Sequence, residues 1–163
     1  MKFPDTLVIW ATLLLALLLT AARLPADVPE LFSWLRPEWA AIVLLYWVMA
    51  VPQRVGMVTA WCVGILVDSL TGSLLGQHAL GFVLIAFVGL SMYERLRMYS
   101  LLQQAFIVFV TIALARLIGF WVEALVRGVG WTPMILLPAV TSALLWPLAF
   151  TALRALRRKF RIA

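Results

Sequence analysis

Residues 101–126 read LLQQAFIVFVTIALARLIGFWVEALV, and the only charges in that run are Arg116 and Glu123. A helix rises 1.5 Å per residue, so about 20 such residues cross a hydrocarbon layer of ~30 Å. The run therefore predicts a membrane-spanning helix, and the rest of the chain has the same character. Of 163 residues, 65% are hydrophobic and 12% charged, against roughly 25% charged in a soluble domain. A soluble fold of this length leaves too much surface exposed to hide that much apolar side chain. The mean hydropathy of +1.06 agrees. A soluble enzyme, a disordered chain and a secreted disulfide scaffold are excluded, and an integral membrane protein remains. One span with its connection takes on the order of 25 residues, which allows about six spans and no separate soluble domain.

Working outward from 101–126, five further apolar segments appear. Residues 7–22 follow Lys2 and read as a retained first helix, since the run is long for a signal peptide and more spans follow. Residues 23–38 hold Arg23, Asp27, Glu30, Arg36 and Glu38 with three prolines. They predict a loop with a short interfacial helix that turns Leu31, Phe32, Trp34 and Leu35 toward the bilayer surface. Residues 39–51 form a short second span ended by Pro52 and Arg54. Trp39, Tyr46 and Trp47 are expected to anchor it at the interfaces, with local thinning of the bilayer as one remedy for its length. Spans are expected over 56–70, 78–93 and 133–153, the last bent at Pro138 and Pro147, followed by a basic tail over 154–163.

Charge placement orients the chain. With the N-terminus inside, Lys2, Arg54, Arg95, Arg97 and five tail residues (Arg154, Arg157, Arg158, Lys159 and Arg161) lie on the cytoplasmic side. Only Arg23, Arg36 and Arg127 lie opposite. This bias predicts an all-α, six-helix transmembrane bundle with both termini cytoplasmic. The net charge of +6 is thereby read as topology control, with an inside anchor on anionic lipid at the tail, and nucleic-acid binding is set aside.

Charges within the spans are costly and pair inside the bundle. Asp68, His78, Arg116 and Glu123 all fall near the outer end, and Arg116 and Glu123, seven residues apart, share a helix face. They are expected to form one polar cluster, with Asp68 paired to Arg116, structural in role rather than an ion or ligand site. Gly56, Ala60, Gly64, Asp68, Gly72 and Gly76 recur every four residues. Small residues at that spacing let helices approach closely. The row drifts about 40° per step, so it cannot all face one partner. A contact within the chain is expected rather than a dimer face. Cys62 is read as a small membrane-buried residue, and no nucleophile, metal or phosphate-binding motif is present. No catalytic residue, metal or cofactor is expected.

Residues 36–80 read RPEWAAIVLLYWVMAVPQRVGMVTAWCVGILVDSLTGSLLGQHAL. Arg36-Pro37, Trp39, Tyr46-Trp47, Pro52, Arg54-Val55-Gly56, Gly64, Asp68, Gly72 and Leu75-Gly76 in that stretch resemble the rod shape-determining protein MreD family of bacteria. Leu145-Trp146-Pro147 and the basic end fit the same resemblance. It implies a non-enzymatic, multi-pass component of the bacterial inner membrane that serves cell elongation. The implied partners are the bitopic protein MreC and, through it, MreB, the glycosyltransferase RodA and a class B penicillin-binding transpeptidase. The implied fold is similar to the substrate-binding subunits of energy-coupling-factor transporters. Arg36, Trp39, Tyr46, Trp47, Arg54, Asp68, Gly72 and Gly76 are the candidates for an interaction surface or a structural hub. A small-solute-binding subunit of a transporter is the competing expectation.

Overall fold

The computed structural model describes residues 3–22 and 29–162. Lys2, Arg23, Pro25 and Asp27 of the sequence reading lie outside these residues. Helices account for most of the described chain, and no strand occurs among the described residues. They are α1 (Phe3–Ala21), a short α2 (Glu30–Trp34), α3 (Trp39–Ala50), α4 (Met57–Thr71), α5 (Gln77–Met98), α6 (Leu101–Arg127) and α7 (Leu137–Lys159). A 3-10 turn, Pro133–Leu136, leads straight into α7. Three segments, Gln77–Met98, Leu101–Arg127 and Pro133–Lys159, are long and apolar enough to cross a membrane. Thr6–Ala21 and Met57–Thr71 are shorter apolar helices.

The short second apolar segment turns out to be the centre of the bundle. In α3 every residue except Trp39 and Val43 is buried, as an all-round apolar helix requires. It packs against α1, α5 and α7. Tyr46 and Trp47, expected at the interfaces, are buried instead, with Trp47 wholly inaccessible. The Trp47 indole donates to Thr12 Oγ1 of α1 at 2.8 Å, and Tyr46 meets Trp47 and Phe150 edge-on. Both ends of α3 are closed by protein. The Glu38 N–H donates to Ser142 Oγ (2.9 Å) and the Ala40 N–H to Thr20 Oγ1 (3.3 Å). At the far end the Arg97 guanidinium donates to the carbonyls of Met49 (2.8 Å) and Ala50 (3.0 Å). A helix too short to span is thus accommodated by satisfying its free backbone groups inside the protein.

Close packing falls where the small residues are. A Cβ on Gly64 would run into the backbone of Ala79, so α4 and α5 touch nearly backbone to backbone. The expected contact within the chain is there, and the four-residue row divides as its drift requires. Ala60 and Gly64 face inward, while Gly72 (φ 70°) and Gly76 (φ 98°) make the left-handed turns between α4 and α5. Cys62 points outward, as do Leu14, Leu18, Trp61, Trp121 and Leu125. In a membrane these are lipid-facing positions.

Two boundaries differ from the sequence reading. Pro138 stands at the start of α7, where its missing N–H costs nothing, and only Pro147 lies inside the helix. The basic segment is no separate tail: α7 continues through Lys159. Beyond it Ile162 folds back into the core, its carbonyl accepting from Arg157 Nε at 3.0 Å. A buried polar knot at the same end also escaped the sequence. Gln104 donates to the Leu96 and Tyr99 carbonyls and accepts from the Trp146 indole at 3.0 Å, joining α5, α6 and α7.

Candidate functional site: a polar cavity at one end of the bundle

The end of the bundle where α1 and α6 finish and α3, α5 and α7 begin collects the chain's interior charges. Asp68, in the last turn of α4, is almost wholly buried. Its Oδ1 accepts from the His78 N–H (2.9 Å), His78 Nδ1 (2.7 Å) and Ser73 Oγ (3.1 Å), and its Oδ2 from the Gly76 N–H (2.8 Å). The backbone donors belong to the first turn of α5, which lack partners in their own helix. Asp68 therefore caps the next helix across the Gly72–Gly76 turn, at the positive end of that helix's dipole. It holds His78 with Nδ1 as the protonated nitrogen.

The expected Asp68–Arg116 pair does not form. Arg116 Nη1 instead donates to Glu38 Oε1 at 3.0 Å, and its Nε to the Ile135 carbonyl at 3.4 Å. This pair ties the start of α3 to α6 and to the 3-10 turn. Asp68 is already engaged by four donors from residues only five to ten positions away in sequence, so its charge is met locally without a distant arginine. In the sequence Glu38 stands among the charges of a loop. Nothing local marks it as the partner of a residue 78 positions on.

Three of the four clustered candidates, His78, Arg116 and Glu123, line a single cavity of about 120 Å³, with Asp68 behind His78. Glu38, Gln77 and Thr132, missed by the sequence reading, add to its polar lining, and Trp34, Phe82, Ile85, Ile112 and Phe120 supply apolar walls. Glu123 accepts from Arg127 Nη1 (3.3 Å) and Gln77 Nε2 (3.4 Å). Gln77 Oε1 is buried and has no protein donor. The wall between α5 and α6 is drawn tight by small residues: Gly81 lies against Ala115, and Gly119 against the Gln77 side chain. Among the described residues no group of three or more His, Cys, Asp or Glu side chains is placed to hold a metal ion.

The hub candidates do not converge on one surface. Arg36 donates to the carbonyls of Leu19 (2.7 Å) and Thr20 (3.3 Å), capping the end of α1. Trp39, half-buried, opens α3 at the same end of the bundle as Asp68, Gly72 and Gly76. Tyr46 and Trp47 lie in the core. Arg54 is exposed at the opposite end, after α3. The short α2 forms where an interfacial helix was expected, with Phe32 exposed and Trp34 at the cavity.

The comparisons with known proteins agree with one another. The family model described as rod shape-determining protein MreD matches residues 1–156. A curated relative, the rod shape-determining protein MreD of Haemophilus influenzae, is 33% identical over 153 residues, covering 94% of each chain. No solved structure matches.

Proposed function

The chain belongs to the rod shape-determining protein MreD family, and on that footing we propose that it is a non-enzymatic membrane subunit of the bacterial cell-elongation machinery. The observation that carries this reading is the match of the family model to nearly the whole length. In this proposal the chain sits in the inner membrane as a six-span bundle with both termini cytoplasmic. It binds MreC, and through MreC it is linked to MreB, RodA and a class B penicillin-binding transpeptidase. The nine-to-three distribution of Lys and Arg supports that orientation.

Physical form supports a scaffold. With only short connections between the helices among the described residues from α2 onward, a partner meets this protein on helix sides, where close packing of small and aromatic residues takes the place of a hydrophobic drive. A fold similar to energy-coupling-factor substrate-binding subunits belongs to the same proposal. The cavity favours a second reading, a small-solute-binding subunit of a transporter. Co-purification in detergent separates the two. The scaffold predicts that tagged protein retains MreC stoichiometrically and that depletion rounds a rod-shaped cell. Failure of both, with a small molecule retained instead, would transfer the assignment to the transporter.

A further inference from the structure

We propose that the outer face of α7 carries a binding site for one anionic phospholipid. Arg154 and Arg158 hold its phosphate, and an apolar row on the same face holds an acyl chain. The site rests only on the membrane-spanning part of the function proposed above.

The row defines the face. Ser142, Trp146 and Leu153 are buried and turn one side of α7 toward the bundle. On the opposite side Val140, Leu144 and Leu148 are exposed, the last two by 75% and 68%. Exposed Thr151 and Ala155 continue the line. These positions step by three or four residues, so they form one row along the helix. Arg158 closes the row, and Arg154 stands beside it one turn earlier. Both are exposed, and neither guanidinium has a hydrogen bond or ion pair with another described residue.

Depth selects the form of the occupant. The apolar segment Pro133–Lys159 has 27 residues, of which about 20 fill a hydrocarbon layer of ~30 Å. Measured from Pro133, the layer ends close to Leu153. Arg154 and Arg158 then emerge at headgroup level, while Leu144 and Leu148 stay among the acyl chains. The end of α7 is fixed in place. The Arg161 N–H donates to the Arg158 carbonyl (3.2 Å) and the Ile162 N–H to the Arg157 carbonyl (3.1 Å), with Ile162 buried.

Charge selects the sign. No Asp or Glu follows Glu123 in the sequence. Among the described residues the carboxylates at this end of the bundle belong to Glu94, which accepts from the Tyr93 hydroxyl at 2.9 Å, and to Asp5 in the first turn of α1. Guanidinium groups match phosphate oxygens in geometry as well as charge. A zwitterionic lipid offsets its phosphate with its own ammonium. A second copy in the same membrane orientation would bring two arginine clusters to one depth, where like charges repel. An acidic peptide from the aqueous side would meet the arginines and leave the leucine row uncovered. An anionic lipid meets both.

The test uses the full chain in detergent, with retained lipid read by native mass spectrometry. Phosphatidylglycerol is competed against phosphatidylethanolamine of the same acyl chains. A preference of about thirtyfold for phosphatidylglycerol is expected, the worth of two basic side chains at a membrane surface. Arg154→Ala and Arg158→Ala should each lower it about fivefold, and Arg95→Ala, near the end of α5, by less than about twofold. Equal losses at Arg95 and Arg158 would mean a diffuse field over the whole basic end and overturn the proposal. Equal retention of the two lipids overturns it as well. So does displacement by free glycerophosphoglycerol as effective as by the intact lipid, because the leucine row would then contribute nothing. Capture of hexaglutamate without any headgroup preference transfers the surface to an acidic protein partner. The headgroup and glycerophosphoglycerol comparisons on the unmutated chain decide the matter should a variant fail to fold. No partner protein is present in the assay, so its outcome is read separately from MreC binding.

Discussion

Replacing Asp68 with asparagine changes one atom and reverses one hydrogen bond. Oδ1 accepts three donors and Oδ2 one, the Gly76 N–H at 2.8 Å. The asparagine carbonyl will take the crowded Oδ1 position, which points its NH₂ group at the Gly76 N–H. A buried donor then faces a donor, at about 1–3 kcal/mol. The negative charge at the start of α5 is lost as well, at about 0.3–1 kcal/mol and up to ~2 where buried. Together these give a loss of about 2–4 kcal/mol. Equilibrium unfolding in mixed detergent micelles measures it, and Asp68→Asn combined with Arg116→Ala extends it. Because Asp68 and Arg116 share no contact, their effects should add to within about 0.5 kcal/mol. A loss under about 0.5 kcal/mol for Asp68→Asn refutes the capping argument. A large coupling with Arg116 restores the pairing that the sequence suggested.

Glu38→Gln and Arg116→Ala, in contact at 3.0 Å, should by contrast couple by about 1–3 kcal/mol in the same assay, and additivity would remove that pair. Gly64→Ala drives a methyl group into the Ala79 backbone, whereas a Cβ on Gly56 meets nothing within 4 Å. The first should cost about 1–3 kcal/mol and Gly56→Ala under about 1 kcal/mol, read as thermal shifts of the two purified variants.

The local logic of the chain was legible in its residues. The 101–126 run announced α6, and Ser100 with Gln103 closes a capping box at its start. The near-periodic small residues announced a close contact within the chain, and the structure places it between α4 and α5 at Gly64. Asp68, His78, Arg116 and Glu123 can be assigned to one end from the sequence, because helix length and direction fix the depth of every residue along its helix. Depth does not fix azimuth, however. Which side chains meet across helices depends on how each helix is rotated about its axis, and α3, apolar on every side, gives no pattern from which to read a rotation. For that reason Glu38 was overlooked as the partner of Arg116.

The sequence by itself determined that this is a helical protein built for hydrocarbon, which segments are helices, and at which end its interior charges lie. Composition, run length and loop charge are one-dimensional quantities, and a bilayer reads them one-dimensionally. Only the tertiary structure decided that α3 is the central helix, that Arg97 and Arg36 close helix ends, and that Gln77, His78, Arg116 and Glu123 surround one cavity. Those arrangements join residues tens of positions apart, and packing of whole helix faces selects them.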